Sequence, residues 1–168
     1  MMSDLDKLFR TVTDFTIFDN NLIGHAREVF DDYIEKGIIL SYDFDHHKWE
    51  TTNEYANVTF LFNVNTFQYK RFYQPLLGID YEGFIAYLKS FIVLSMDQHV
   101  LGSLQAFLRD IKRMIKETKQ DILSDIEYIK ISSPSLCIDF LASLPYPDDS
   151  EVSQFLEQLD NAMTIVYQ

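Results

Sequence analysis

One cysteine, Cys137, stands in a chain of 168 residues, so no disulfide can form within it and the fold has to rest on its own core. That scarcity suggests a reducing, cytoplasmic setting. Cys137 lies in the apolar run LCIDFLASL, where a thiol reads as a small buried hydrophobe and not as a nucleophile. Glycine and proline are few, five and four, which argues against long irregular loops and linkers. Long apolar runs are missing: FIVLSM falls far short of the roughly 20 residues that span a bilayer, so no membrane partner is expected. The start, MMSDLDKLFR, lacks the basic-then-apolar order of a secretory signal. Catalytic signatures are missing too. There is no nucleophile elbow, no P-loop, no dinucleotide fingerprint and no H-E-x-x-H, so neither an enzyme activity nor a cofactor is expected.

Positive charge is also scarce. Fourteen basic residues face 26 acidic ones, and a net charge of −12 weighs against simple phosphate binding. Its distribution matters more than its sum: residues 1–65 carry −7, residues 66–119 carry +3, and residues 120–168 carry −8. The middle stretch is the one region with a basic balance. What the chain does have is apolar and aromatic content, 47% and 15%, enough for a proper core. The length suits one domain, or one domain with an N-terminal subdomain.

Read in order, Ser3 and Asp6 suit a short helix through Arg10, followed by the β-branched TVTDFTIF, irregular or a short strand. Asn20–Lys36 predicts a helix, capped by Asn20 or Asn21, with the stripe Leu22, Ala26, Val29, Phe30 and Tyr33, and closed by Gly37. Ile38–Tyr42 is a short strand candidate, and Asp43–Asn53 reads as a polar turn. Tyr55–Phe67 alternates Val58, Phe60, Phe62 and Val64 with polar residues and predicts a strand of a small antiparallel sheet or hairpin. Gln68–Gly78 reads as a connector, because Pro75 opposes a regular helix through it.

Asp80 then caps the first of two central helices. DYEGFIAYLKSFIVLSM is apolar nearly all round and so predicts deep burial; Asp97 or Gln98 ends it. The second helix carries Leu101, Leu104, Leu108, Ile111 and Ile115 at helical spacing, flanked by Phe107 and Met114. DILSDIEYIKISS starts helical and turns ambiguous. Pro134 opens a helix over Ser135–Leu144 with Ser133 as cap, PYPDDSE is a turn, and a last helix runs from Asp149 or Ser150 to about Ile165. The expected fold is mainly α (α+β): a helical bundle with a small antiparallel β-hairpin or sheet in the N-terminal half. The expected division is residues 1–78, a helix plus a small β subdomain, and residues 79–168, a helical bundle.

Two constellations bear on chemistry. His46 and His47, near Asp43 and Asp45, hint at a metal, but adjacent histidines in an irregular loop rarely converge with further ligands, so no metal site is expected. His25 and His99 stand alone. The second is the basic face of the second central helix: Arg109, Lys112, Arg113, Lys116 and Lys119 form a ridge beside its apolar stripe. Ser103 and Gln105 near its start are within reach of phosphate or base edges, and Lys70 and Arg71, interleaved with Tyr69, Phe72 and Tyr73, add charge upstream. The competing reading of the ridge is a solvated face with cations favoured near a helix C-terminus.

The helix pair FIAYLKSFIVLSM–DQHVLGSLQAFLRDIKRMIKET resembles the core-binding, SAM-like N-terminal domain of tyrosine recombinases, the phage-integrase family. In that family an aromatic or aliphatic Y-x-x-x-L run, a short break and a helix of the form hhxxLRxhKxFhxx follow one another. The corresponding stretch here is Leu104–Lys116, LQAFLRDIKRMIK. The N-L-I-x-x-A-x-x-V-F helix and the YKRFYQPLLGID connector are similar to N-terminal regions of integrase-like proteins from Gram-positive bacteria and their mobile elements. The resemblance covers about half the chain. It implies a helical DNA clamp on double-stranded DNA, without catalysis: the family's Arg, H-x-x-R pair and nucleophilic Tyr are not matched, since no histidine here opens an H-x-x-R. A second class of function stays open beside it. The acidic N- and C-terminal surfaces suit a basic protein partner, as in a phage or mobile-element accessory protein.

Overall fold

The computed structural model describes residues 20–41, 43–120, 125 and 131–144, with positions 154, 157 and 161. The expectations for Ser3–Phe18, for most of 121–130 and for the closing turn and helix lie outside the described residues. The architecture is mainly helical with a two-stranded antiparallel sheet in the N-terminal half. In order come α1 (Asn20–Glu35), β1 (Lys48–Thr52), β2 (Asn57–Leu61), α2 (Thr66–Gln68), a π-helical turn (Tyr69–Tyr73), α3 (Gln74–Leu77), α4 (Tyr81–Ser95), α5 (Leu101–Glu117) and α6 (Pro134–Ser143). Among the described residues no helix is long and apolar enough to cross a membrane.

α1 follows its stripe. Leu22, Ala26 and Phe30 are buried, Val29, Tyr33 and Ile34 pack against them, and the acidic Glu28, Asp31, Asp32 and Glu35 face solvent. Gly37 ends the helix at φ 73°, its N–H on Ile34 O and that of Ile38 on Tyr33 O, a closure that glycine makes without a Cβ penalty. α1 packs on α4, which is enclosed as its apolar circumference predicts. Asp80 caps α4, its Oδ1 accepting from Gly83 N at 2.8 Å. The α5 stripe is buried throughout, and α5 packs on both β2 and α6. Where α4, α5 and α6 meet, the Phe140 ring lies 5.2–5.9 Å from Phe84, Tyr87, Phe91 and Phe107. A second group, Phe30, Phe44, Trp49 and Phe62, joins α1 to the sheet. One connected core runs from Leu22 to Leu144.

Five local expectations need correction. Asp43–Asn53 is not all turn, since Lys48–Thr52 forms β1 and pairs with β2 in the register Trp49↔Phe60 and Thr51↔Val58. Its short alternation, Trp49 and Thr51 inward, is masked by four polar neighbours. The strand predicted over Tyr55–Phe67 keeps its alternation, with Val58, Phe60, Phe62 and Val64 buried, but its ladder stops at Leu61 and α2 begins at Thr66. In Ile38–Tyr42 a single bridge forms, Ile39↔Thr51, and Tyr42 lies outside the described residues.

The connector Gln68–Gly78 is helical. A wide turn at Tyr69–Tyr73, with Gln74 N bonded to Tyr69 O, carries the helix into Pro75, which sits in the first turn of α3 where a missing N–H costs least. Lastly, Ser133 precedes α6 but its side chain does not cap it. Asp110 of α5 instead holds the segment that leads into it, its Oδ2 accepting from Ser132 N and Ser133 N at 2.9 Å each.

Candidate nucleic-acid interface

The ridge residues fall on one side of α5 because positions four and three apart stack on a helix. Arg109, Lys112, Arg113 and Lys116 line a groove of about 400 Å³ together with Asn63, Asn65 and Glu117. The far wall comes from the extended segment after β2. Lys112 Nζ donates to Asn63 Oδ1 at 3.0 Å, so the helix and the strand segment are tied across the groove floor. Lys112 is half-buried, and that burial lowers its pKa from the ordinary lysine value. Among the described residues, Arg109, Lys112 and Lys116 make no ion pair. Arg109 spends one N–H on Gln105 Oε1 at 3.4 Å.

The groove continues toward the start of α5. Thr59, Leu61, Gln105 and Leu108 join Arg109 and Lys112 around a smaller depression of about 180 Å³. Gln105 Nε2 donates to Thr59 O at 3.0 Å, so this side chain braces β2 against α5. At the other end Gln68 Nε2 donates to Lys116 O at 3.2 Å and to Thr118 O. Thr118 Oγ1, in turn, contacts the Tyr73 hydroxyl at 3.1 Å. The cations are therefore mounted on a helix braced at both ends.

Burial raises the Asp110 carboxyl above the usual range, opposed by the bonds from Ser133 and Ser132 and by Arg113 and Arg109. That carboxylate is turned inward to α6, which leaves four cations against the one carboxylate of Glu117 along the groove face of α5.

Not every predicted residue joins this site. Ser103 is half-buried near the start of α5, where its carbonyl receives Ser133 Oγ at 3.5 Å. Lys119 follows the helix, with its backbone N–H on Asp125 Oδ2 at 2.6 Å. Lys70 and Arg71 are exposed on the π-helical turn and do not line the groove; the Arg71 guanidinium lies 5.0 Å from the Phe72 ring.

Sequence reasoning missed Asn63 and Asn65. They alternate outward from Phe62 and Val64, and that alternation was the available signal. It also missed Lys89, the single cation inside the apolar α4. The residue is 3% exposed, and its ammonium donates to Phe44 O at 2.8 Å and His46 O at 2.9 Å and faces the Phe44, Trp49 and Phe62 rings. A charge in a helix buried all round must find such partners.

The Cys137 thiol is fully buried, and that burial pushes its pKa well up, as suits an inert core residue. Among the described residues no group of three or more His, Cys, Asp and Glu side chains is placed to hold a metal. No family model matches the chain, and no curated protein or solved structure matches it.

Proposed function

We propose that the chain is a DNA-binding region of the tyrosine-recombinase-like kind, non-catalytic by itself, that holds the backbone of double-stranded DNA in the α5 groove. In this reading it works in the cytoplasm on DNA. The observation that carries it is the convergence of Arg109, Lys112, Arg113 and Lys116 with two asparagine amides on one groove of a chain with net charge −12. A merely solvated face does not need a second wall, and the resemblance of Leu104–Lys116 to a recombinase DNA-clamp helix points to the same side chains. Arginine and lysine supply charge to phosphate oxygens, and asparagine amides donate to the same atoms.

The test is a fluorescence-anisotropy titration against a random duplex at about 50 mM and about 200 mM salt, where several phosphate contacts change affinity by orders of magnitude. Arg109→Ala with Arg113→Ala is expected to weaken binding and flatten its salt dependence. Unchanged binding by that double variant removes the groove from the account, and no wild-type binding at low salt shifts the function toward protein partners.

A further inference from the structure

A second cavity, of about 490 Å³, shares Asn63 with the basic groove. Phe62 forms a wall from the strand segment, and Ile85 and Ala86 form another from α4. Six polar side chains meet these apolar surfaces: the carboxylates of Asp45 and Glu82, the Lys89 amine, the Asn63 amide, the His47 imidazole and the Tyr81 hydroxyl, which donates to Val64 O at 2.8 Å. We propose that this cavity receives the base of a single unstacked nucleotide whose phosphate lies in the adjoining groove. The inference rests on the nucleic-acid reading of that groove.

Charge decides which part of the ligand enters. Two carboxylates against one ammonium leave the lining net negative, which opposes an anion, so the phosphate stays with Arg109 and Lys112 in the groove that shares Asn63. What suits the cavity is flat, largely apolar on its faces and neutral, with N–H groups to give to Asp45 and Glu82. The exocyclic amine of cytosine or adenine carries two N–H bonds, one for each carboxylate, whereas thymine offers N3–H alone. Asp45 is also held by Arg27 at 2.6 Å, and this pair fixes the carboxylate in place.

On the donor side, an ammonium has three N–H bonds. Lys89 uses two on the Phe44 and His46 carbonyls, which leaves one for a ring nitrogen or carbonyl. Burial draws the Lys89 pKa down to about 8, with Asp45 and Asp43 opposing and Arg27 adding to the fall, as expected for a desolvated wall. Enzymes and binding proteins that read single bases use such pockets, apolar on the faces and polar at the edge.

The experiment compares labelled oligo-dC and oligo-dT strands of equal length by anisotropy, for wild type, Ala86→Trp and Glu82→Gln. Wild type is expected to bind oligo-dC roughly tenfold tighter, because one well-placed base-edge contact is worth about 1–3 kcal/mol. Ala86→Trp fills the cavity and is expected to abolish the preference while salt-dependent binding persists. Glu82→Gln, at an exposed helix position, is expected to retain the fold and reduce the preference.

Competition with cytidine monophosphate identifies the source of the base. Displacement of oligo-dC assigns the cavity to free nucleotides, and its absence assigns the cavity to a strand. Equal binding of the two strands by wild type, or a preference that survives Ala86→Trp, overturns the inference and leaves the groove reading standing. Loss of all binding in Arg109→Ala with Arg113→Ala tests the groove separately.

Discussion

Lys89 concentrates the energetics of one position. Its ammonium holds the carbonyls of Phe44 and His46, and Trp49 Nε1 shares the first at 3.2 Å, so the loop between α1 and β1 is fastened to α4 by two N–H donors and to β1 by a third. Lys89→Met leaves the His46 carbonyl without that donor and is expected to cost about 1–3 kcal/mol in urea unfolding at pH 7. The pH dependence has a definite sign. A lysine with pKa about 8 folded and 10.5 unfolded binds fewer protons in the folded chain between those values, so stability rises with pH across that window. Tyr69, Tyr73 and Tyr87 act against it at higher pH: burial raises their hydroxyl pKa values, and an acid that stays protonated in the fold loses stability above pH 10. The difference between wild type and Lys89→Met cancels the tyrosines. It should move in favour of wild type from pH 7.5 to 10, and a flat difference contradicts the desolvated lysine.

At the level of elements, α5 serves two masters: its apolar stripe builds the core and its outer face carries charge. Asp110 links it to α6 by accepting two backbone N–H groups. Asp110→Ala strands both donors and is expected to destabilise the chain by roughly 2 kcal/mol, whereas Asp110→Asn, which keeps an acceptor, costs less; urea midpoints of the two variants separate this from a general loss of charge. Phe140→Ala opens a cavity among four rings and should cost about 3–5 kcal/mol in the same assay. Much of this was legible in the sequence, because a 3.6-residue stripe such as Leu101–Ile115 and a cap such as Asp80 are local signals. β1 was not legible: Lys48–Thr52 offers two inward residues, and its pairing with β2 is a contact across the hairpin. Pro75 misled for a related reason. Its effect depends on the wide turn before it, which no periodicity announces. The cations of the groove were visible as a spacing on α5, whereas their opposite wall, Asn63 and Asn65, arrives by tertiary packing.

For the whole molecule, net charge and local charge pull in opposite directions. The exposed acids of α1 repel phosphate at long range, and salt screens that repulsion over about 8–10 Å as it screens the attraction at the groove. Four phosphate contacts predict a slope of log affinity against log salt of about −3 to −4, and Arg109→Ala with Arg113→Ala should reduce its magnitude by about 2. Lys70→Ala with Arg71→Ala, away from the groove, should leave duplex affinity within about twofold on this account. A larger loss there extends the contact surface to the π-helical turn.

The small sheet has a consequence for self-association. A two-stranded ribbon usually leaves both edges open to another chain. Here Leu40 N and Thr52 N exchange bonds with Glu50 O and Ile38 O along the β1 edge, and Gln105 lies on Thr59 O along the β2 edge. The β1 edge is answered at two bonds and the β2 edge at one, all from within the same chain. A chain adding along β2 has to displace Gln105 from Thr59 O, so the side chain that braces the basic helix against the sheet also blunts that edge.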